Sequence, residues 1–201
     1  MLVVKSFVQF GKGTDMSKVG RRPIDYGAVQ VEVKNNAIHF KGSNSSGVYE
    51  LPELLTAQVA DKKLTLSLAG ADAVLNKDTK MVLGLHRARL ANTLLGASKK
   101  FEKVLKINGL GFKVVKKSDK DLQFTLGFSH KIDSSERDID LTGIEFEIDK
   151  TGQVLTMRSA DKEKLGLACS KIRSLRPPEP YKGTGIQYLN ETILRKVGKA
   201  K

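Results

Sequence analysis

The chain has one cysteine, no tryptophan, three histidines and five prolines in 201 residues. The first and third of these scarcities each remove a class of protein. The lone Cys169 cannot close an intramolecular disulfide, which excludes a disulfide-stapled scaffold and fits a reducing compartment or simple indifference to redox. His39, His86 and His130 are scattered relative to one another and to Cys169, at spacings with no metal-ligand logic, so neither a metal nor another cofactor is expected. No apolar run approaches the roughly 20 residues that a membrane-spanning helix needs, and no membrane partner is expected. The apolar opening Met1–Phe10 is interrupted by Lys5 and lacks an adjacent small-residue cleavage site, so residues 1–15 read as an extension and not a secretory signal.

Positive charge is what the chain has in excess. Its formal net charge is +13 and its pI is near 9.8, which implies a polyanionic partner. Residues 171–201 carry eight Lys or Arg against two acids, whereas residues 107–170 carry ten bases and eleven acids. The surplus therefore lies largely at the C-terminal end, with a smaller excess at Lys99, Lys100, Lys103 and Lys106. A solubilising, solvated face explains a charge run about as well as a binding surface does.

The hydrophobic period changes twice along the chain. Val29, Val31 and Val33 alternate with polar residues, Lys34-Asn35-Asn36 forms a turn, and Ala37–Lys41 alternates again, which predicts a β-hairpin. Further strands are predicted at 48–51, 58–60 and 64–68. Val82, Leu83, His86, Leu90 and Leu94 then recur at helical spacing as far as Ser98. The second half repeats the order. Strands are predicted at 104–107 and 112–115 around Asn108-Gly109, read as a hairpin turn, then at 122–126, 144–148 and 154–158. A helix carrying Leu165, Ala168, Cys169 and Ile172 follows, with Ser159 as expected N-cap and Asp161 in its first turn. Leu83-Gly84-Leu85 corresponds to Leu165-Gly166-Leu167, and Leu64-Thr65-Leu66 to Leu155-Thr156-Met157. The expectation is an α+β fold of two similar small domains, each an antiparallel or mixed sheet with one main helix, arising by internal duplication. The boundaries read as an extension (1–15), an N-terminal domain (16–100), a C-terminal domain (101–176) and a basic tail (177–201). That tail is expected to lie outside both cores.

The segment Arg176–Ile186 is chemically the sharpest. Its three prolines stop the preceding helix and stiffen the exit. Gly183 and Gly185 can bring backbone N–H groups close to a ligand, Lys182 supplies charge, and Tyr181 offers a flat surface with a hydroxyl. Such a loop suits a phosphate backbone or an unstacked base, although an ordinary terminal loop has similar composition.

These residues resemble a family of large-subunit ribosomal proteins, the L-six family in its bacterial or organellar form, whose pattern is Pro-Glu-Pro-Tyr-Lys-Gly-Lys-Gly followed by an aliphatic residue. Pro178–Gly183, Gly185 and Ile186 match it, while Thr184 stands in place of the family's lysine. Met16–Ile24 resembles the family's amino terminus, and Leu126–His130 its Gly-Phe-Ser-His loop, with Lys131 in place of the usual proline. The ending Lys196–Lys201 is similar in its basic character. The resemblance implies two related α+β domains and a structural role in the large ribosomal subunit, in the cytoplasm or alternatively in an organelle. It implies docking on large-subunit ribosomal RNA near the sarcin–ricin loop, beside neighbouring ribosomal proteins and the landing site of translational GTPases. RNA contact then maps onto Lys171, Arg173, Arg176, Tyr181, Lys182, Gly183, Gly185, Arg195 and Lys196, with Phe128 and His130 as further candidates.

An enzyme is not expected. Gly109-Leu110-Gly111 lacks the third glycine and the strand-to-helix context of a dinucleotide site, and Gly183-Thr184-Gly185 lacks the Gly-Lys-Ser/Thr of a phosphate loop. Glu145, Glu147 and Asp149 alternate along a predicted strand with no partner base in view. Two other classes stay open at this point, a general nucleic-acid chaperone and an enzyme acting on an anionic substrate.

Overall fold

A computed structural model describes residue 20 and residues 22–60, 62–69 and 76–198. The expectations for residues 1–15, for most of the amino-terminal match at 16–21 and for the last basic residues, Lys199 and Lys201, lie outside that range.

The first half is built from β1 (Ile24–Asp25), β2 (Gln30–Lys34), β3 (Ala37–Lys41), β4 (Ser46–Glu50), β5 (Leu55–Ala60), β6 (Lys63–Leu68) and α1 (Lys77–Ser98). The predicted hairpin forms between β2 and β3, with Lys34 opposite Ala37. Asn35 and Asn36 both take positive φ, at 47° and 60°, as a two-residue turn matching strand twist requires. The Asn36 side-chain amide donates to the carbonyls of Leu51 and Pro52, tying the turn to the end of β4. β4 extends this to an antiparallel order β2-β3-β4, and a second sheet runs β1-β6-β5. Ile38, Leu64, Leu90 and Leu94 pack between these sheets and α1 in one hydrophobic cluster.

Only Lys99 and Lys100 separate α1 from the second half. That half comprises β7 (Phe101–Asn108), β8 (Lys113–Ser118), β9 (Asp121–Thr125), β10 (Ile132–Asp133), a 3₁₀ turn (Ser135–Arg137), β11 (Glu145–Ile148), β12 (Val154–Ser159), α2 (Lys162–Leu175) and β13 (Gly185–Tyr188). Its sheets are β10-β9-β8 and β11-β12-β7-β13. The order of the first half recurs, because β7-β12-β11 matches β1-β6-β5 and the meander β8-β9-β10 matches β2-β3-β4. Of the residues equated in the sequence, Leu64 and Leu155, Leu66 and Met157, and Leu83 and Leu165 are buried in both halves.

Three expectations are corrected. Asn108-Gly109 is not a hairpin turn, because β7 pairs with β12 and β13 while β8 belongs to the other sheet. The short loop carries the chain between sheets, and each flank is bonded to the β11–β12 turn instead, Ile107 N–H to Gln153 O and Val114 N–H to Gly152 O. The N-cap of α2 is Asp161, whose carboxylate accepts from the N–H groups of Glu163 and Lys164. Ser159 is buried at the end of β12, donating to Gly143 O and accepting from Asp161 N–H. Finally, the segment read as a tail outside both cores contains β13. Ile186 lies opposite Ile107 on β7, is 0% exposed and belongs to the second hydrophobic cluster.

The two halves meet along α1 and the start of α2. Arg89 pairs with Glu163 at 3.1 Å, and Lys162 Nζ donates to Asn92 Oδ1 at 3.4 Å. Gly96 packs so close to Ala160 O that a Cβ there would stand 1.9 Å from it.

Candidate nucleic-acid interface

The exit from α2 organises the candidate residues. At Arg176 the helix ends, Pro177 and Pro178 prevent its continuation, and the chain turns through Glu179–Thr184 into β13. The turn is closed internally: Glu179 N–H donates to Thr184 O at 2.9 Å, Gly183 N–H to Glu179 O at 3.0 Å, and Thr184 Oγ1 to Glu179 Oε2 at 2.8 Å. Gly185 has φ +132°, and a Cβ there would lie 2.6 Å from Pro177 O, so only glycine lets β13 pass this close to the helix end. The returning chain adds a further strap, Lys196 N–H donating to Pro180 O at 2.9 Å.

This folding brings six of the sequence candidates together. Tyr181 and Lys182 are exposed at the tip of the turn, and Arg195 and Lys196 are exposed on the returning chain. The Arg195 guanidinium lies against Gly183, where a Cβ would meet its Nη2 at 3.3 Å. Gly183 and Gly185 themselves are buried, and the Gly183 N–H is already bonded within the loop. The Gly183 N–H is therefore not an open backbone donor, and both glycines shape the loop that presents Tyr181 and Lys182.

A second group forms around the Arg176 side chain. The Arg176 guanidinium carbon sits 5.0 Å from the Phe128 ring centroid and 5.9 Å from that of Phe112. Phe128 stacks in turn on His130, with centroids 6.2 Å apart and planes inclined by 25°. Gly127, with φ +74°, allows this loop to turn tightly over Phe112, whose Cε1 would stand 2.7 Å from a Cβ. Beside the stack opens a cleft of about 290 Å³ lined by Phe128, His130, Ile132, Arg137, Lys171, Ser174 and Leu175. Lys171 Nζ donates to Asp138 O at 2.5 Å, leaving its other ammonium hydrogens for a ligand.

Arg173 stands apart from both groups. Its guanidinium is held by Glu191, Nε to Oε2 at 3.0 Å and Nη2 to Oε1 at 2.5 Å, and Glu191 Oε2 also accepts from Tyr188 N–H. The hydrogen bond from Arg173 is the main cause holding the Glu191 carboxyl below its usual range, and its counterpart raises the arginine. Arg173 therefore fastens β13 and the following chain to α2. Sequence reading missed Phe112, Arg137 and Glu191; the bond between residues 173 and 191 leaves no local trace in the sequence.

Most of the residues weighed for metal binding or catalysis have structural partners. Cys169 is buried beside Met157, and burial pushes its thiol up to about 11, so it stays protonated. His86 Nδ1 shares a 2.9 Å hydrogen bond with the Tyr49 hydroxyl, and His39 faces solvent on β3. Glu145 pairs with Lys100, Glu147 with Arg158, and Asp149 accepts from Thr151. Among the described residues no cluster of His, Cys, Asp or Glu could hold a metal ion, and no helix is long and apolar enough to cross a membrane.

No family model matches the chain. Curated proteins do. It is 37% identical over 185 residues to large ribosomal subunit protein uL6 of a Nitratiruptor species, covering 92% of this chain and 98% of that protein. It is 40% identical, with the same coverage of both, to the protein of that name from an Anaeromyxobacter species. The corresponding protein of Wolinella succinogenes is 36% identical, again over 92% of this chain and 98% of its own.

Proposed function

The chain belongs to the large ribosomal subunit protein uL6 family, structural constituents of the large ribosomal subunit and not enzymes, and from that premise we propose that it docks on large-subunit ribosomal RNA through the two groups flanking the α2 exit. The observation that carries this reading is the convergence of Tyr181, Lys182, Arg195 and Lys196 on one braced loop, with Arg176 at its base, its carbonyl accepting from Ile186 N–H. Lysine and arginine neutralise phosphates, while the loop, rigid through its prolines and internal hydrogen bonds, fixes register on the RNA. Phe128 and His130 extend the surface. Arg173 is assigned to holding that surface together, and Gly183 and Gly185 to shaping it.

By family resemblance the RNA lies near the sarcin–ricin loop and the factor site, so neighbouring ribosomal proteins and translational GTPases are the further partners, in the cytoplasm of a bacterial cell. The division at 100/101 is supported by two separate hydrophobic clusters, one in each half. The shared strand order supports descent from one duplicated unit.

The test is the salt dependence of binding between the full chain and large-subunit ribosomal RNA. With Lys171, Lys182, Arg195 and Lys196 each neutralising one phosphate, log K against log salt has a slope of about −3 to −4. Lys182→Ala reduces its magnitude by about one. An unchanged slope removes that lysine from the contact surface, and a salt-independent affinity refutes phosphate docking.

A further inference from the structure

Phosphate neutralisation requires only flexible cations, yet the group beside α2 contains more than that. Four planar side chains follow one another there, Phe112, Arg176, Phe128 and His130, with Arg176 fixed against both phenylalanine rings. Phe128 is 40% exposed despite its size, and His130 is exposed beside it. The adjoining cleft has an apolar lining in Ile132 and Leu175 and a polar one in Ser174, Lys171 and Arg137. Glu136 and Asp138 neighbour Arg137 in the chain but do not line the cleft.

We propose that the Phe128–His130 face and the cleft beside it seat one unstacked base of large-subunit ribosomal RNA, with Lys171 and Arg137 meeting the phosphates on either side. The inference rests on the docking reading above and names what its second group recognises. A base has a π-face that stacks on an aromatic ring and polar edges that hydrogen-bond, and RNA presents such bases in loops and bulges. Planar rings, apolar lining and cationic groups together match a nucleotide better than they match a bare phosphate. Ser174, exposed on α2 with its hydroxyl donating to Lys171 O, keeps its oxygen lone pairs for a base edge. The stack is held in advance by Arg176 and Gly127, so little ordering is lost when the base enters.

The experiment compares the full chain with H130A, F128A and H130F, titrated with large-subunit ribosomal RNA over a range of salt concentrations. Stacking is a salt-independent contribution, so H130A and F128A should each lower affinity by about 5- to 150-fold at every salt concentration, with the slope unchanged. H130F keeps a ring in place and should stay within about threefold of the parent. Chemical probing of base edges should show one nucleotide protected by the parent chain and H130F and open with H130A. Because His130 is exposed, H130A leaves the fold intact and carries the test even if F128A loosens the Arg176 stack. A slope reduced in step with affinity would make His130 a phosphate contact and overturn the proposal. Unchanged affinity in H130A, alongside salt-dependent binding by the parent, would overturn the base seat while leaving the docking reading standing. Absence of salt-dependent binding by the parent would sink both.

Discussion

Arg173 offers a clean separation between a residue that touches RNA and one that positions the surface touching it. Its guanidinium and the Glu191 carboxylate form two hydrogen bonds, with side chains 32% and 24% exposed. Such a pair should exceed the roughly 0–1 kcal/mol of a fully exposed ion pair and fall short of the about 3–5 kcal/mol lost on breaking a buried one. Arg173→Ala leaves Glu191 with only the Tyr188 N–H and should cost about 1–2 kcal/mol of stability. In a double-mutant cycle with Glu191→Ala, the coupling should be about 1 kcal/mol, because each single substitution already removes the same bonds. Urea unfolding of the four full-length proteins measures it, and titration of each with ribosomal RNA should give a common salt slope. The structural assignment fails if Arg173→Ala leaves stability within about 0.3 kcal/mol of the parent and lowers the slope by about one.

The same pair sets a pH dependence. Glu191 has a lowered carboxyl pKa in the folded chain, so its contribution is complete above the ordinary glutamate range and is lost as pH falls through the folded value. The coupling should be full at neutral pH and vanish in acid; a coupling that survives in acid would mean the bond is not ionic. Ile186→Ala, at a fully buried position on β13, should cost about 2–5 kcal/mol, and a loss under about 1 kcal/mol would show that β13 is dispensable to the core. For the same reason, deletion of residues 176–201 removes a strand and should lower the stability of the second half as well as its RNA affinity. Thr184→Lys, restoring the residue usual in the resembling family, should give up the bond to Glu179 and steepen the salt slope by up to about one. A shallower slope would show that the loop needs that bond more than the extra charge.

Periodicity carried the sequence reading where structure is local. The 3.6-residue recurrence of Leu83, Leu90 and Leu94, and of Leu165, Ala168 and Ile172, located both helices and their buried faces. Asn35-Asn36 located a real hairpin because both residues tolerate positive φ. Asn108-Gly109 misled because a turn signal constrains the backbone only nearby. Strand choice is decided by distant partners, here β12 and β13, which outcompete the neighbour in sequence. The displaced N-cap has a similar cause: Ser159 is drawn into the sheet by Gly143 O, leaving Asp161 to cap.

The residues of the proposed interface stand out in composition, but their individual roles do not follow from it. Tyr181 and Lys182 are presented at the loop tip, and Arg195 and Lys196 join them from beyond β13, a meeting that only the returning chain brings about. Charge alone could not separate Arg173, tied to Glu191, from Lys182, which is exposed at the tip of the turn. Nor could it show that Arg176 lies against the rings of both Phe112 and Phe128.

Sedimentation through a gradient of bacterial lysate, before and after a high-salt wash, tests the central claim most directly, with the parent chain and a K182A/R195A/K196A variant run side by side. The parent should co-migrate with the large subunit and remain there through the wash, while the variant is reduced in that fraction and displaced further by salt. Migration of the parent at the top of the gradient as a free protein, or equal retention of the variant, would contradict the assignment of this surface to ribosomal RNA.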